Sequence, residues 1–216
     1  MYKKVVCFDL DDTLYKEIDF LESAYKEIAD SAGHPEMQPQ MVKWYREGLN
    51  VFQELNQILN VDTPITDYLK KYRNHYPTIS LSNGVEDTLN ELKHKGVILG
   101  LITDGRSISQ RNKLKALRIE SLFDDILISE ETGYSKPSER PYVFFMEKYP
   151  QCSYLYLGDN PAKDFIAANR LRWMTVCLID NGKNIHKQDF ELGNEYLPLL
   201  KINHISELAG IVCNEN

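Results

Sequence analysis

The stretch VVCFDLDDTLY, residues 5–15, limits the possible folds more than any other part of the chain. Val5, Val6, Cys7 and Phe8 run without a polar break, which suits a strand covered on both faces inside a parallel sheet. Asp9, Asp11 and Asp12 follow at once. Carboxylates crowded at the end of a buried strand repel one another and lose hydration, so they require a cation, a proton or a chemical task. If the chain stays extended beyond Phe8, Asp9 and Asp11 face one side and Asp12 the other. Two converging carboxylates can divide labour, one attacking as a nucleophile and the other moving a proton. The plainer alternative is an acidic turn in which Asp12 or Thr13 caps the following helix.

After Tyr15 the period of the apolar residues changes. Phe20, Leu21, Ala24, Tyr25, Ile28 and Ala29 recur at helical spacing, and Met41, Tyr45, Phe52, Leu55 and Leu59 repeat the pattern in a second segment. A third helix is expected from Thr63-Pro64, with Thr63 as its cap and Pro64 in its first turn. Residues 17–81 thus read as a helical block without strand signals, its core supplied by Trp44, Tyr45, Tyr68 and Tyr72. From Leu81 helices alternate with strands at Val97–Thr103, Asp125–Ser129, Tyr154–Asp159 and Met174–Ile179, with Asn160-Pro161 expected to open the helix that holds Asp164. The pattern predicts an α/β fold: a Rossmann-like parallel sheet, helices on both faces, and a helical insertion after the first strand. Each polar cluster falls at a strand's C-terminal end, the sheet edge where open α/β sheets bind ligands. The tail from Lys183 is polar, then helical over Ile205 to Val212, and no chemistry is assigned to it.

A chain of 216 residues accommodates one core of residues 1–16 and 82–216 plus the inserted block of 17–81. With 43% hydrophobic and 26% charged residues, and no apolar run able to span a bilayer, the expectation is a cytoplasmic globular protein with no membrane partner. Cys7, Cys152, Cys177 and Cys213 are scattered without CxxC pairing, so reduced thiols are expected. A net charge of -7 argues against nucleic acid as a partner and requires that positive charge for an anionic substrate be supplied locally.

Four motifs in order complete the reading: Asp9, Asp11 and Thr13 as DxDxT, Thr103 closing an apolar strand, Lys136 in SKP, and Gly158, Asp159 and Asp164 as GDxxxxD. The chain resembles the haloacid dehalogenase (HAD) superfamily, in its C1-capped, phosphatase-like subgroup. The resemblance implies that Asp9 attacks phosphorus and that Asp11 protonates the leaving oxygen and later deprotonates water. It implies Mg2+ held by the Asp9 carboxylate, the Asp11 backbone carbonyl and Asp159, with Asp164 in support. Thr103 and the amides of Asp104 and Gly105 are expected to hold the phosphoryl oxygens, and Lys136 to neutralise the charge shared by Asp9 and substrate. Asn is common in the family at the position of Asp104, and Arg106 is expected to offset the added carboxylate. Residues 17–81 resemble a C1-type cap that selects substrate, and Tyr15, Lys16 and Glu17 belong to a flap near the leaving group.

The implied substrate is a small phosphorylated metabolite: a sugar phosphate, a nucleotide or a phosphoglycolate-like acid. Two other chemistries share the fold. True haloacid dehalogenases place a non-acidic residue where Asp11 stands, and sugar-phosphate mutases often carry Val where Thr13 stands. A non-catalytic module that binds a phosphate ligand is the reading from outside enzymology.

Overall fold

The computed structural model describes residues 3–214, the side chains of the last two excepted, so Cys213 lies outside the described side chains. Six parallel strands form one sheet among the described residues: β1 (Lys4–Phe8), β2 (Ile98–Thr103), β3 (Asp125–Ile128), β4 (Ser153–Gly158), β5 (Met174–Leu178) and β6 (Leu200–Ile202). Their order is β3-β2-β1-β4-β5-β6. The order reverses at β1, so a crevice opens at the C-terminal ends of β1 and β4, where the aspartates lie.

Strand alternation sorts the core into two layers. Val6, Phe8, Leu99, Leu101, Leu155 and Leu157 face Leu89 of α5 (Val85–His94), Leu114 of α6 (Ser107–Leu117) and Leu208 of α10 (Glu207–Asn214). Val5, Cys7, Ile102, Tyr156 and Cys177 face the other way, onto Tyr142 and Phe145 of α8 (Arg140–Lys148), Ala167 and Ala168 of α9 (Ile166–Arg170), and Trp173. A short α7 (Ser129–Thr132) follows β3. Cys7, Cys152 and Cys177 are free thiols, as expected.

Between β1 and β2 the chain forms α1 (Glu17–Ser31), α2 (Gln38–Arg46), α3 (Val51–Leu59) and α4 (Ile65–Asn74). Leu21, Tyr25 and Ile28 of α1 pack with Trp44, Phe52, Leu55 and Tyr68 into a third hydrophobic cluster, against which Tyr45 and Tyr72 also pack. Phe20 belongs instead to the layer beneath the sheet, so α1 joins the block to the core.

Four local expectations change. The segment from Met41 to Leu59 is two helices, broken at Gly48 (φ +73°), and Asn50 caps the second by accepting from the Gln53 amide. Pro64 stands just before α4, and Thr63 does not cap it. Asn160-Pro161 opens a turn, with helix only from Ile166. β6 was not anticipated, since two of its three residues are exposed and no apolar run marks it. No helix of the described residues is long and apolar enough to cross a membrane.

Candidate active site

β1 ends at Phe8, and the next amide, that of Asp9, donates to the Leu157 carbonyl of β4 at 2.8 Å. This fixes Asp9 at the strand edge, 4% exposed, where its Oδ1 accepts from Lys136 Nζ. The Lys136 side chain is fully buried; Nζ also lies 2.7 Å from Asp164 Oδ1 and 3.0 Å from the Tyr156 hydroxyl. Burial alone would favour the neutral amine, but Asp164 and Asp9 outweigh it and hold the ammonium well above its usual pKa. Burial pushes Asp9 up to about 6, with Lys136 opposing and Asp164 adding to the rise. Asp164 Oδ2 accepts from the amides of Asp159 (3.2 Å) and Asn160 (2.8 Å). Gly158 permits this approach, because a Cβ there would stand 2.6 Å from that oxygen.

Past Asp9 the chain does not stay extended, and Asp12 takes a left-handed conformation (φ 57°). Its two carboxylate oxygens accept from the amides of Glu17 and Ile185, each at 2.9 Å. Asp12 thus accepts from the first amide of α1, although Lys16 stands at the N-cap position, and Asp9 and Asp11 both line the cavity. Asp11 Oδ1 accepts from the Tyr15 hydroxyl and from Lys113 Nζ (2.7 Å), and Oδ2 from Gln110 Nε2 (3.0 Å). Burial favours protonated Asp11, but Lys113, Tyr15 and Gln110 together hold its carboxyl below the ordinary carboxylate value.

Thr103 closes β2 with its hydroxyl oxygen accepting from Gln110 Nε2 at 2.6 Å, which leaves the hydroxyl proton to donate. The Asp104 carboxylate is held at the cavity: Oδ1 accepts from the Lys136 amide at 3.1 Å and Oδ2 stands 4.0 Å from Lys163 Nζ. Arg106 does not offset it, being paired with Glu130 at 2.5 Å on the surface; Lys163 takes that place. The Gly105 amide donates to Ser129 Oγ at 2.9 Å, so an anion must displace Ser129 to use it. Lys16 reaches Asn184 Oδ1, and Glu17 lines the cavity. Burial, then the nearby Asp11, push Glu17 up to about 8.

A cavity of about 90 Å³ is bounded by Asp9, Asp11, Asp12, Asp104, Asp159 and Asn160 from the sheet edge, Glu17 from α1, and Lys163 and His186. Lys136 and Asp164 stand behind Asp9, not on the cavity wall. The polar tail contributes more than expected: Asn184 Nδ2 donates to Asp159 Oδ2 (2.9 Å) and Gln188 Nε2 to the Asp159 carbonyl (2.8 Å). A groove of about 910 Å³ beside α1 is larger and contains none of the predicted site residues.

The family model for haloacid dehalogenase-like hydrolases matches residues 6–178. The chain belongs to that family. Among curated relatives, a glyceraldehyde 3-phosphate phosphatase of Methanothermobacter thermautotrophicus is 33% identical over 97% of this chain and 99% of its own length. One of the same name from Methanocaldococcus jannaschii is 30% identical over 98% and 97%. A solved structure of the HAD-hydrolase YfnB from Bacillus subtilis bound to magnesium superposes with a TM-score of 0.73 at 22% identity, over 98% of this chain and 99% of the other.

In this HAD hydrolase the donor set fits a hard cation. Asp9, Asp159 and Asp164 offer carboxylate oxygens within 4.8 Å of one another. Burial, then Asp164 and Asp9, push Asp159 up to about 9, so this group is short of positive charge. With Asp164 committed to Lys136 and two amides, Asp9 and Asp159 are the carboxylates left to meet an ion, and oxygen-only donors suit magnesium.

Proposed function

We propose that this chain is a magnesium-dependent phosphatase that hydrolyses a small phosphorylated metabolite through an aspartyl phosphate. The observation that carries the reading is the separation of the two aspartates: Asp9 is paired with a buried ammonium, and Asp11 is held by an independent set of donors. Residues 1–16 and 82–216 would form the catalytic core and 17–81 the cap. Magnesium, held by Asp9, the Asp11 carbonyl and Asp159, would neutralise phosphoryl charge and orient the ester for in-line attack.

An Asp9 oxygen attacks phosphorus as the bond to the leaving oxygen breaks, and Asp11 passes its proton to that oxygen. Asp11, now a carboxylate, takes a proton from water; the water oxygen attacks phosphorus, the Asp9–phosphorus bond breaks, and phosphate leaves. Lys136 keeps Asp9 in place and offsets its charge, and the Thr103 hydroxyl donates to a phosphoryl oxygen. Asp11 is held as a carboxylate in the free protein, so its role as acid requires a proton to arrive with the ester, whose negative charge raises the affinity of Asp11 for it.

The cavity of about 90 Å³ favours a leaving group of triose size over a nucleoside, and the relatives named glyceraldehyde 3-phosphate phosphatase support the same class. The test is turnover of p-nitrophenyl phosphate with magnesium, then comparison of kcat/KM across triose phosphates, phosphoglycolate, hexose phosphates and nucleotides. The reading predicts activity lost on chelation and a maximum among the three-carbon esters. Full turnover in metal-free buffer, or a preference for nucleotides, contradicts it.

A further inference from the structure

We infer that Lys113 is a positioning residue for Asp11, acting with Gln110 from one face of α6; the inference rests on the phosphatase reading above. Lysines are seldom fully buried, yet Lys113 is only 4% exposed. Its Nζ lies 2.7 Å from Asp11 Oδ1 and 4.3 Å from the ring centroid of Phe20, the α1 residue that packs into the core. One helical turn earlier, Gln110 is 1% exposed and bridges Asp11 Oδ2 to the Thr103 hydroxyl. With the Tyr15 hydroxyl on Oδ1, both oxygens of Asp11 are fixed from the α6 side and from the flap.

Packing alone does not require this arrangement. An apolar side chain at 113 would fill the space against Phe20 without the cost of burying an ammonium. The ammonium pairs with Asp11, which faces the cavity. α6 is itself anchored on a neighbouring flank: Ser109 Oγ donates to the Arg73 carbonyl at 2.8 Å, and Asn112 Nδ2 to the carbonyls of Asn74 and His75. The ammonium thus has a fixed place, tied to the end of α4. Without it the Asp11 carboxylate loses its strongest donor and turns among rotamers while Asp9 repels it.

The experiment is a double-mutant cycle with p-nitrophenyl phosphate and magnesium, comparing Lys113→Met, Lys113→Arg, Asp11→Asn and Lys113→Met/Asp11→Asn. If Lys113 works through Asp11, Lys113→Met lowers kcat by about 10- to 100-fold, part of the roughly 10² to 10⁴ that a proton carrier supplies. KM changes little, Lys113→Arg recovers most of the loss, and Lys113→Met adds nothing to Asp11→Asn. Two results overturn the inference: Lys113→Met slowing the Asp11→Asn protein by the same factor as the wild type, or raising KM with kcat intact. Should Lys113→Met melt before assay, Lys113→Gln enters the same cycle with the same two criteria. Failure of the phosphatase reading has a different signature, wild-type protein that leaves the ester intact, and the inference then falls with it.

Discussion

The helical block buries Trp44, Phe52 and Tyr68 against one another, whereas the sheet edge buries Asp9, Lys136, Asp159 and Asp164 at 4%, 5%, 4% and 0% exposure. In the first region stability grows with apolar area, and a lost side chain leaves a cavity whose cost depends on local collapse. In the second each charge is tolerable only because the others are present. The contrast separates two kinds of burial: the edge holds charged groups in mutual dependence, and the block is held by apolar packing. Glu17 is the member of the block's first helix that lines the cavity.

The largest expected effect breaks the edge. Lys136→Met leaves Asp9 and Asp164 buried together without their cation, which costs about 3–5 kcal/mol of stability. Turnover of p-nitrophenyl phosphate falls by at least about 10²- to 10³-fold, the scale for losing one group that meets developing charge. Denaturant titration and steady-state kinetics read the two losses. A variant that keeps wild-type turnover would remove Lys136 from the account.

Trp44→Ala makes the complementary test. Its loss from the aromatic cluster is expected to cost about 3–5 kcal/mol, while folded protein keeps most of its activity on small aryl phosphates. Its kcat/KM for larger esters shifts relative to p-nitrophenyl phosphate, because the residues proposed to react lie outside 17–81. Equal loss on every ester would deny the block a part in selection.

The four inner strands β1, β2, β4 and β5 are readable from apolar runs because both faces of each are covered, so no polar alternation interrupts them; the edge strand β3 keeps an apolar run, Ile126 to Ile128, although most of it is only half-buried. β6 escapes because it is a half-exposed edge of three residues. Asp9, Asp11, Thr103, Lys136, Asp159 and Asp164 are readable because each sits just beyond a strand or in a motif tied to one. Lys113 and Gln110 are not, since a lysine and a glutamine on a helix ordinarily face water and only the tertiary fold turns them to Asp11. Asn184 and Gln188 are invisible for a related reason: a polar tail carries no period that shows where it folds back.

The smallest expected effect lies where the two regions meet. The Glu17 carboxyl is pushed up to about 8, so folding favours its protonated form. That contribution is complete below the ordinary carboxyl range and is lost as pH rises through about 8. In chelator-treated protein the melting temperature of the wild type should therefore fall relative to Glu17→Gln as pH rises from the ordinary carboxyl value to about 8, and run parallel to it above. Curves parallel throughout for the two proteins would place Glu17 in water rather than against Asp11.

The central claim is that Asp9 takes the phosphoryl group and Asp11 moves protons. Asp11→Asn leaves the nucleophile but removes the base that activates water, so with p-nitrophenyl phosphate, whose leaving group needs little protonation, the first step outruns the second. Mass spectrometry of acid-quenched Asp11→Asn protein should then show an added phosphoryl group on the peptide containing Asp9, with no such adduct in Asp9→Asn. An adduct in Asp9→Asn, or none in Asp11→Asn despite continued turnover, would contradict the assignment.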